Sequence, residues 1–178
     1  MTSKADQVAM GTRKFGFPLL SGALAGFFAA IPMALVMAGL NEILPTRKRA
    51  WYQKWIPLPP RQITNRMAKR FGVPRATRAG NRLEPATWLA HLGYGAAAAS
   101  VFPLATRSLP IPAVLRGLLF ALGVWAASYL GWLPAANILP PATEQPARRN
   151  IVMIISHLVW GSFIGLLASR IDTRFRSG

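Results

Sequence analysis

The 178-residue chain contains no cysteine, and it has only five acidic residues and two histidines. Without cysteine it cannot form disulfides, thiolate metal sites or iron–sulfur clusters. Five carboxylates leave little material for acid–base catalysis, and no Ser-His-Asp, HExxH or glycine-rich phosphate-binding pattern is present. The sequence therefore predicts a protein that is not an enzyme and has no metal site.

The scarcity of acids leaves a large positive charge, with 21 Lys and Arg residues and a formal net charge of +16. No zinc-finger, RNA-recognition or helix-turn-helix pattern accompanies that charge, so nucleic acid is not an expected partner. The basic residues lie almost entirely outside the apolar blocks, where lipid headgroups can contact them. The expected partners are anionic lipids, together with a second copy or another membrane protein.

The apolar residues, 52% of the chain, are grouped in blocks. The first block has 26 uncharged positions, which as a helix is ~39 Å long and enough to cross a bilayer. We therefore predict an all-α integral membrane protein, a single domain over 1–178 with four transmembrane helices. The predicted spans are about 15–40, 86–105, 117–139 and 151–169.

The loop at 45–85 holds eleven basic residues and one acid, Glu84. Within it, the segment from Gln62 to Phe71 is predicted to be a short amphipathic helix on the membrane surface. Because the side bearing this loop carries more basic residues than the side bearing both termini, the positive-inside tendency places the loop in the cytoplasm of a bacterial inner-membrane protein. Lipid-headgroup contacts are predicted for Arg47, Lys48, Arg49, Arg66, Lys69 and Arg70.

Both histidines occur in the same motif inside an apolar block. Ala90-His91-Leu92-Gly93-Tyr94-Gly95 matches Ser156-His157-Leu158-Val159-Trp160-Gly161, and Asn41-Glu42-Ile43-Leu44-Pro45 is echoed by Asn137-Ile138-Leu139-Pro140-Pro141. The shared order indicates an internal duplication. With two helices in each half, the copies enter the membrane in the same direction and form two parallel-repeat helical hairpins.

This topology puts one set of polar residues in the same half of the membrane. A histidine in an apolar run is costly unless it faces a partner or a cavity, so the set is a candidate polar or ligand site. Three interpretations remain open: hydrogen bonding between helices, handling of protons or solutes, and paired ligation of haem b or of a metal. The set comprises His91, His157, Asn41, Glu42 and Asn137.

Small residues recur every fourth position in the blocks. Such stripes let helix backbones approach closely, which is how membrane helices pack. The glycines predicted to lie at helix contacts are Gly22, Gly26, Gly95, Gly123, Gly131, Gly161 and Gly165.

Several of these landmarks resemble the YagU-like family of small bacterial inner-membrane proteins of unknown function. The matching segments are Pro57-Leu58-Pro59-Pro60-Arg61, Gly117-Leu118-Leu119, 131–141 and Ser156-His157-Leu158-Val159-Trp160. The resemblance implies a four-span inner-membrane protein and, in at least one member, a link to acid tolerance; it implies no catalytic residues. The expected function is support of envelope or pH homeostasis through the histidine-containing site. The alternatives are a small b-type haem protein and an accessory subunit of a membrane complex or transporter.

Overall fold

The structure is a computed structural model. It describes residues 4–44, 59–74 and 84–176, with side chains over 16–44, 60–74 and 84–171. These residues form helices and turns and contain no strand, which confirms the predicted all-helical class for them. The helices in chain order are α1 (Lys4–Ile43), α2 (Pro59–Arg70), α3 (Glu84–Ser100), α4 (Phe102–Thr106), α5 (Ala113–Ala126), α6 (Leu133–Ala135) and α7 (Ala147–Arg176).

Three helical segments are long and apolar enough to cross a membrane: Gly16–Ile43, Ala113–Ala135 and Ala147–Ile171. They correspond to the first, third and fourth predicted spans, with the last two beginning four residues earlier than predicted. The chain is therefore built as a helical membrane protein. The large apolar side chains left exposed around the bundle agree with this, because such a surface is stable only against lipid or another protein. Among them are Leu20, Phe28, Leu35, Leu89 and Leu119.

The second predicted span corresponds to two helices, because α3 ends at Ser100 and α4 begins at Phe102. Pro103 lies at the start of α4 and has no N–H to donate to the carbonyl one turn earlier, so the regular helical hydrogen bonding is interrupted there. The 17 residues of α3 are ~26 Å long at 1.5 Å per residue.

The bundle is organised around α1 and α7. Helix α1 packs against both α3 and α7, and α7 packs in turn against α5. Helices α3 and α5 make few direct contacts, so the two outer helices remain apart on one side of the bundle. The amphipathic α2, confirmed as a helix over Pro59–Arg70, packs against α3 near this opening.

Each outer helix meets its inner partner through glycine. A Cβ atom built on Gly26 of α1 would lie 2.3 Å from the carbonyl oxygen of Gly95 in α3. A Cβ atom built on Gly161 of α7 would lie 2.3 Å from the carbonyl oxygen of Gly117 in α5. Since lipid is as apolar as a leucine side chain, such close packing is a main source of attraction between membrane helices. In each contact one glycine lies one helical turn after a histidine: Gly95 follows His91, and Gly161 follows His157.

The small-residue stripe predicted on the third span is on the wrong face. No heavy atom among the described residues lies within 4 Å of a Cβ built on Gly123 or Gly131, and both glycines are exposed. Helix α5 contacts α7 through Ala113, Gly117 and Ala121 instead. Gly22 lies against the carbonyl of Ala99, and Gly165 against that of Ala113, as expected for packing positions.

Replacement of Gly161 by leucine should destabilise the bundle, because the new side chain has backbone directly in its path and the helices must separate. We expect a loss of about 1–3 kcal/mol or more in the free energy of unfolding. Thermal unfolding in detergent, followed by circular dichroism, measures the change. The matched controls are Gly123→Leu, which points into open space, and Val159→Leu, which is only partly buried. Equal losses in all three variants would contradict the glycine contact.

Candidate functional site

A cavity of about 220 Å³ occupies the gap between α3 and α5. Helix α7 and the middle of α1 form its inner wall, and α2 lies across one end. Its surface is mainly apolar, and the polar groups on it are few. Both histidines of the chain line this cavity, so the structure brings His91 and His157 to the same site.

A π-helical turn at Ala127–Trp132 shapes the α5 side of the cavity. The Leu133 N–H donates to the carbonyl of Ser128, five residues earlier, which widens this turn relative to an α-helix. As a result the consecutive residues Ser128 and Tyr129 are both buried and both line the cavity. The hydroxyl of Ser128 lies 2.8 Å from that of Tyr94 on α3, and this hydrogen bond joins the two outer helices.

His157 is fixed inside the bundle. Its side chain is only 5% exposed, and its Nδ1 lies 2.7 Å from the carbonyl oxygen of Met153, one turn earlier in α7. The rings of Tyr129 and Trp160 meet the imidazole edge to face, with centroids 6.1 and 6.3 Å away. Trp160 is itself held by a hydrogen bond from its Nε1 to the carbonyl of Gly26. The ring of His157 therefore has one orientation, set by Met153, Tyr129 and Trp160.

His91 bonds to a different helix. Its Nε2 lies 3.3 Å from the carbonyl oxygen of Ala30 in α1. A carbonyl can only accept a hydrogen bond, so the ring nitrogen that faces it must carry the proton. The neutral imidazole of His91 is thus protonated on Nε2, and that of His157 on Nδ1. Each ring keeps one nitrogen with a lone pair: Nδ1 in His91 and Nε2 in His157.

Neither of these two lone-pair nitrogens has a hydrogen-bond partner within the part of the chain that the structure describes. Metal-ligating histidines typically have the same arrangement, in which one nitrogen donates to a backbone carbonyl and the other is free to bind. The site can therefore accept a hydrogen bond, a proton or a metal ion at two points.

The other three candidate residues lie away from the cavity wall. Asn41, near the end of α1, accepts a hydrogen bond at Oδ1 from Nη1 of Arg148, 3.1 Å away. The same guanidinium donates to the carbonyls of Asn41 and Leu44, so it caps the end of α1. Glu42 is exposed. The prediction that Asn41 and Glu42 belong with the histidines is therefore wrong: Asn41 is a capping partner of Arg148.

Asn137 has a backbone role. Its φ of 55° is in the left-handed region, which asparagine tolerates better than most residues. The N–H of Ile138 donates to the carbonyl of Leu133, and that of Asn137 to Pro134, which ends α6 in the manner typical of a left-handed helix terminus. Asn41 and Asn137 therefore occupy similar sequence motifs but have different backbone conformations.

Helix α2 is attached to the bundle by arginines. Arg66 donates to the carbonyl of Ile138, and Arg70 Nη1 donates to that of Ala136 at 3.3 Å. Arg149 of α7 donates to the side chain of Gln62 at 2.7 Å. Headgroup contact was predicted for both Arg66 and Arg70; both side chains contact the end of α6 and are also exposed, so the headgroup contact stays a prediction.

Headgroup contact was also predicted for four other basic residues. Lys69 is exposed on the outer surface of α2. Arg47, Lys48 and Arg49 lie outside the described residues.

Sequence reasoning missed several cavity residues. Tyr94 is part of the histidine motif, and its fixed spacing of three from His91 could have marked it. Met33, Met67 and Met153 also line the cavity, but a methionine in an apolar helix carries no signal that separates it from ordinary core.

The chain matches the model of the DUF1440 family, described as a protein of unknown function, over residues 31–166. This match covers more than half of the chain, so the protein belongs to that family. It includes both histidine motifs and, apart from Ala30, every cavity residue named above. No curated protein and no solved structure matches the chain.

The capping role of Arg148 can be tested by Arg148→Lys. Lysine keeps the charge but lacks the planar fork that reaches three acceptors, so the end of α1 should lose hydrogen bonds. We expect the free energy of unfolding to fall by about 1.5–3 kcal/mol, the contribution of a hydrogen bond to a charged group. Chemical denaturation in detergent measures it, with Arg107→Lys, at an exposed position, as control. An unchanged stability of Arg148→Lys would contradict the cap.

Proposed function

We propose that this protein is a multi-pass inner-membrane protein that binds a small electron-pair acceptor between His91 and His157. The observation that carries the proposal is the state of the two imidazoles. Each donates its proton to a backbone carbonyl, and each keeps a lone-pair nitrogen without a partner among the described residues. Both rings line the cavity, so a ligand bound there can reach these nitrogens.

The surroundings of the two rings favour a compact ligand. The volume of about 220 Å³ lies below the roughly 300–1,000 Å³ of pockets for drug-sized molecules. The polar groups in the lining are the imidazoles, the Tyr94–Ser128 pair, the Tyr129 hydroxyl, the indoles of Trp132 and Trp160, and Thr64, which donates its hydroxyl proton to its own helix. No carboxylate lines the cavity.

Four membrane spans in two parallel hairpins complete this proposal. Helices α3 and α4 together supply the second crossing, and both pack against α1. The repeat is supported by the two similar glycine contacts, Gly26 with Gly95 and Gly117 with Gly161, each one turn from a histidine. The orientation with α2 in the cytoplasm follows from the basic residues of the 45–85 loop.

Support of envelope or pH homeostasis is the cellular role we propose, on the YagU-like resemblance of the sequence. Anionic lipid is the proposed partner of the exposed basic residues, of which Lys69 is one in the described part of the chain. A second copy or another membrane protein is the proposed partner of the apolar outer surface.

Haem b is the second candidate ligand, because two free imidazole nitrogens on different helices are the donor set it requires. The small cavity weighs against it, since a macrocycle would have to separate α3 from α5. An absorbance spectrum of the purified protein distinguishes the two candidates.

The state of the site can be measured by nitrogen NMR of protein labelled with ¹⁵N-histidine in lipid nanodiscs. Because the chain has only two histidines, their signals can be assigned with one variant. We expect His91 to be protonated on Nε2 and His157 on Nδ1, with the other nitrogen unprotonated at neutral pH. Rapid exchange between tautomers in both rings would contradict the proposal.

The function itself can be tested by complementation. In a strain lacking the gene, a plasmid copy should restore growth under acid or envelope stress, whereas His91→Gln and His157→Gln should not. The control is Asn137→Gly, which keeps the left-handed turn and lies outside the cavity. Full complementation by both glutamine variants would overturn the proposal.

A further inference from the structure

Methionine is concentrated at the histidine cavity. The chain has six methionines, and three of them, Met33, Met67 and Met153, line the cavity that both histidines line. Met153 and His157 lie one turn apart in α7, and the fold brings Met33 of α1, Met67 of α2 and His91 of α3 to the same cavity. Met33 and Met153 are 6% and 2% exposed, so their thioethers lie inside the bundle.

From this arrangement we infer that the cavity is a binding site for a soft monovalent metal ion, namely Cu(I). This inference rests on the proposed function and names its ligand. Thioether sulfur is a soft donor that selects Cu(I), and imidazole nitrogen also binds copper. The lone-pair nitrogens of His91 and His157 supply two donors, and the three methionines supply up to three more.

The absence of charge on the donors favours binding of Cu(I) over the common divalent ions. All five donors are neutral, and no carboxylate lines the cavity. The cost of moving an ion from water into an apolar interior rises with the square of its charge, so a site of neutral donors favours a singly charged ion over a doubly charged one. Among the described residues no group of three or more His, Cys, Asp or Glu side chains could hold a metal ion, which disfavours a zinc, magnesium or calcium site.

The donors also differ in how firmly they are held. His157 is fixed by its bond to Met153 and by two aromatic rings, whereas methionine has three rotatable bonds and can adjust its sulfur to a bound ion. Met67 is on α2, the helix attached to the bundle by Arg66 and Arg70. A metal ion bound there would link α2 to the transmembrane helices.

The test uses the full chain in nanodiscs under anaerobic, reducing conditions, with Cu(I) supplied in competition with a chromophoric chelator. We expect one Cu(I) per chain, and X-ray absorption should show both sulfur and nitrogen ligands. Met33→Leu and Met153→Leu keep the apolar volume and remove a sulfur, so each should weaken binding by about 10–100-fold, at least the effect of losing an outer-shell partner. The matched control is Met37→Leu, a buried methionine one turn from Met33 that does not line the cavity; its affinity should equal that of the wild type.

The outcomes separate the two proposals. Equal Cu(I) affinity in the wild type, Met33→Leu and Met153→Leu, or displacement of Cu(I) by excess Zn²⁺, would overturn the copper inference. If the ¹⁵N spectra still show one unprotonated nitrogen on each histidine, the proposed function stands without copper. If the spectra show exchanging tautomers as well, both proposals fall. Weaker binding in the two cavity variants but not in Met37→Leu supports the site.

Discussion

The close approach of helix backbones at glycine is the interaction on which the rest of the structure depends. In a bilayer no hydrophobic effect drives one apolar helix against another, so attraction has to come from packing and hydrogen bonds at short range. The contact of Gly26 with Gly95 allows this close approach between α1 and α3, and that of Gly161 with Gly117 allows it between α7 and α5. Larger residues at Gly26, Gly117 or Gly161 would push the helices apart, because a backbone carbonyl lies directly in their path.

These contacts also decide where the cavity lies. Because α3 is drawn toward α1, and α5 toward α7, the gap that remains is between α3 and α5. The π turn then directs Ser128 and Tyr129 into the gap, and Tyr94 closes it with a hydrogen bond. Each histidine precedes its packing glycine by one turn on the same helix face, so both imidazoles are carried into the space between the helices. Packing and the candidate site are therefore set by one motif.

The sequence predicts the shared position of the histidines and their packing glycines. A histidine in an apolar run needs a partner or a cavity, and a glycine four residues later allows a close helix contact on the same face. It predicts the α5 contact poorly because small residues line more than one face of that helix. The stripe containing Gly123 and Gly131 is as regular as the one containing Gly117, and only the neighbouring helix decides between them.

The arginines show a second limit. Their number predicts a membrane surface, but their long side chains can reach either lipid or a helix end. Arg66 and Arg148 each contact a helix end. This depends on where α2 and α7 begin relative to α6 and α1, and local sequence does not encode that. Local sequence likewise did not separate the two asparagines. The similarity between Asn41 and Asn137 predicted that both lie at the histidine site, whereas both lie away from the cavity.

The central claim, that α1 and α3 meet at the histidine cavity, can be tested most directly by disulfide cross-linking, since the chain has no native cysteine. The Cβ of Ala30 lies 3.1 Å from a Cβ built on Gly95, close to the 3.5–4.5 Å of disulfides after a small shift. Ala30→Cys with Gly95→Cys should form an intramolecular disulfide in membranes, whereas Ala30→Cys with Gly93→Cys, which faces open space, should not. Cross-linking of both pairs, or of neither, would contradict the account.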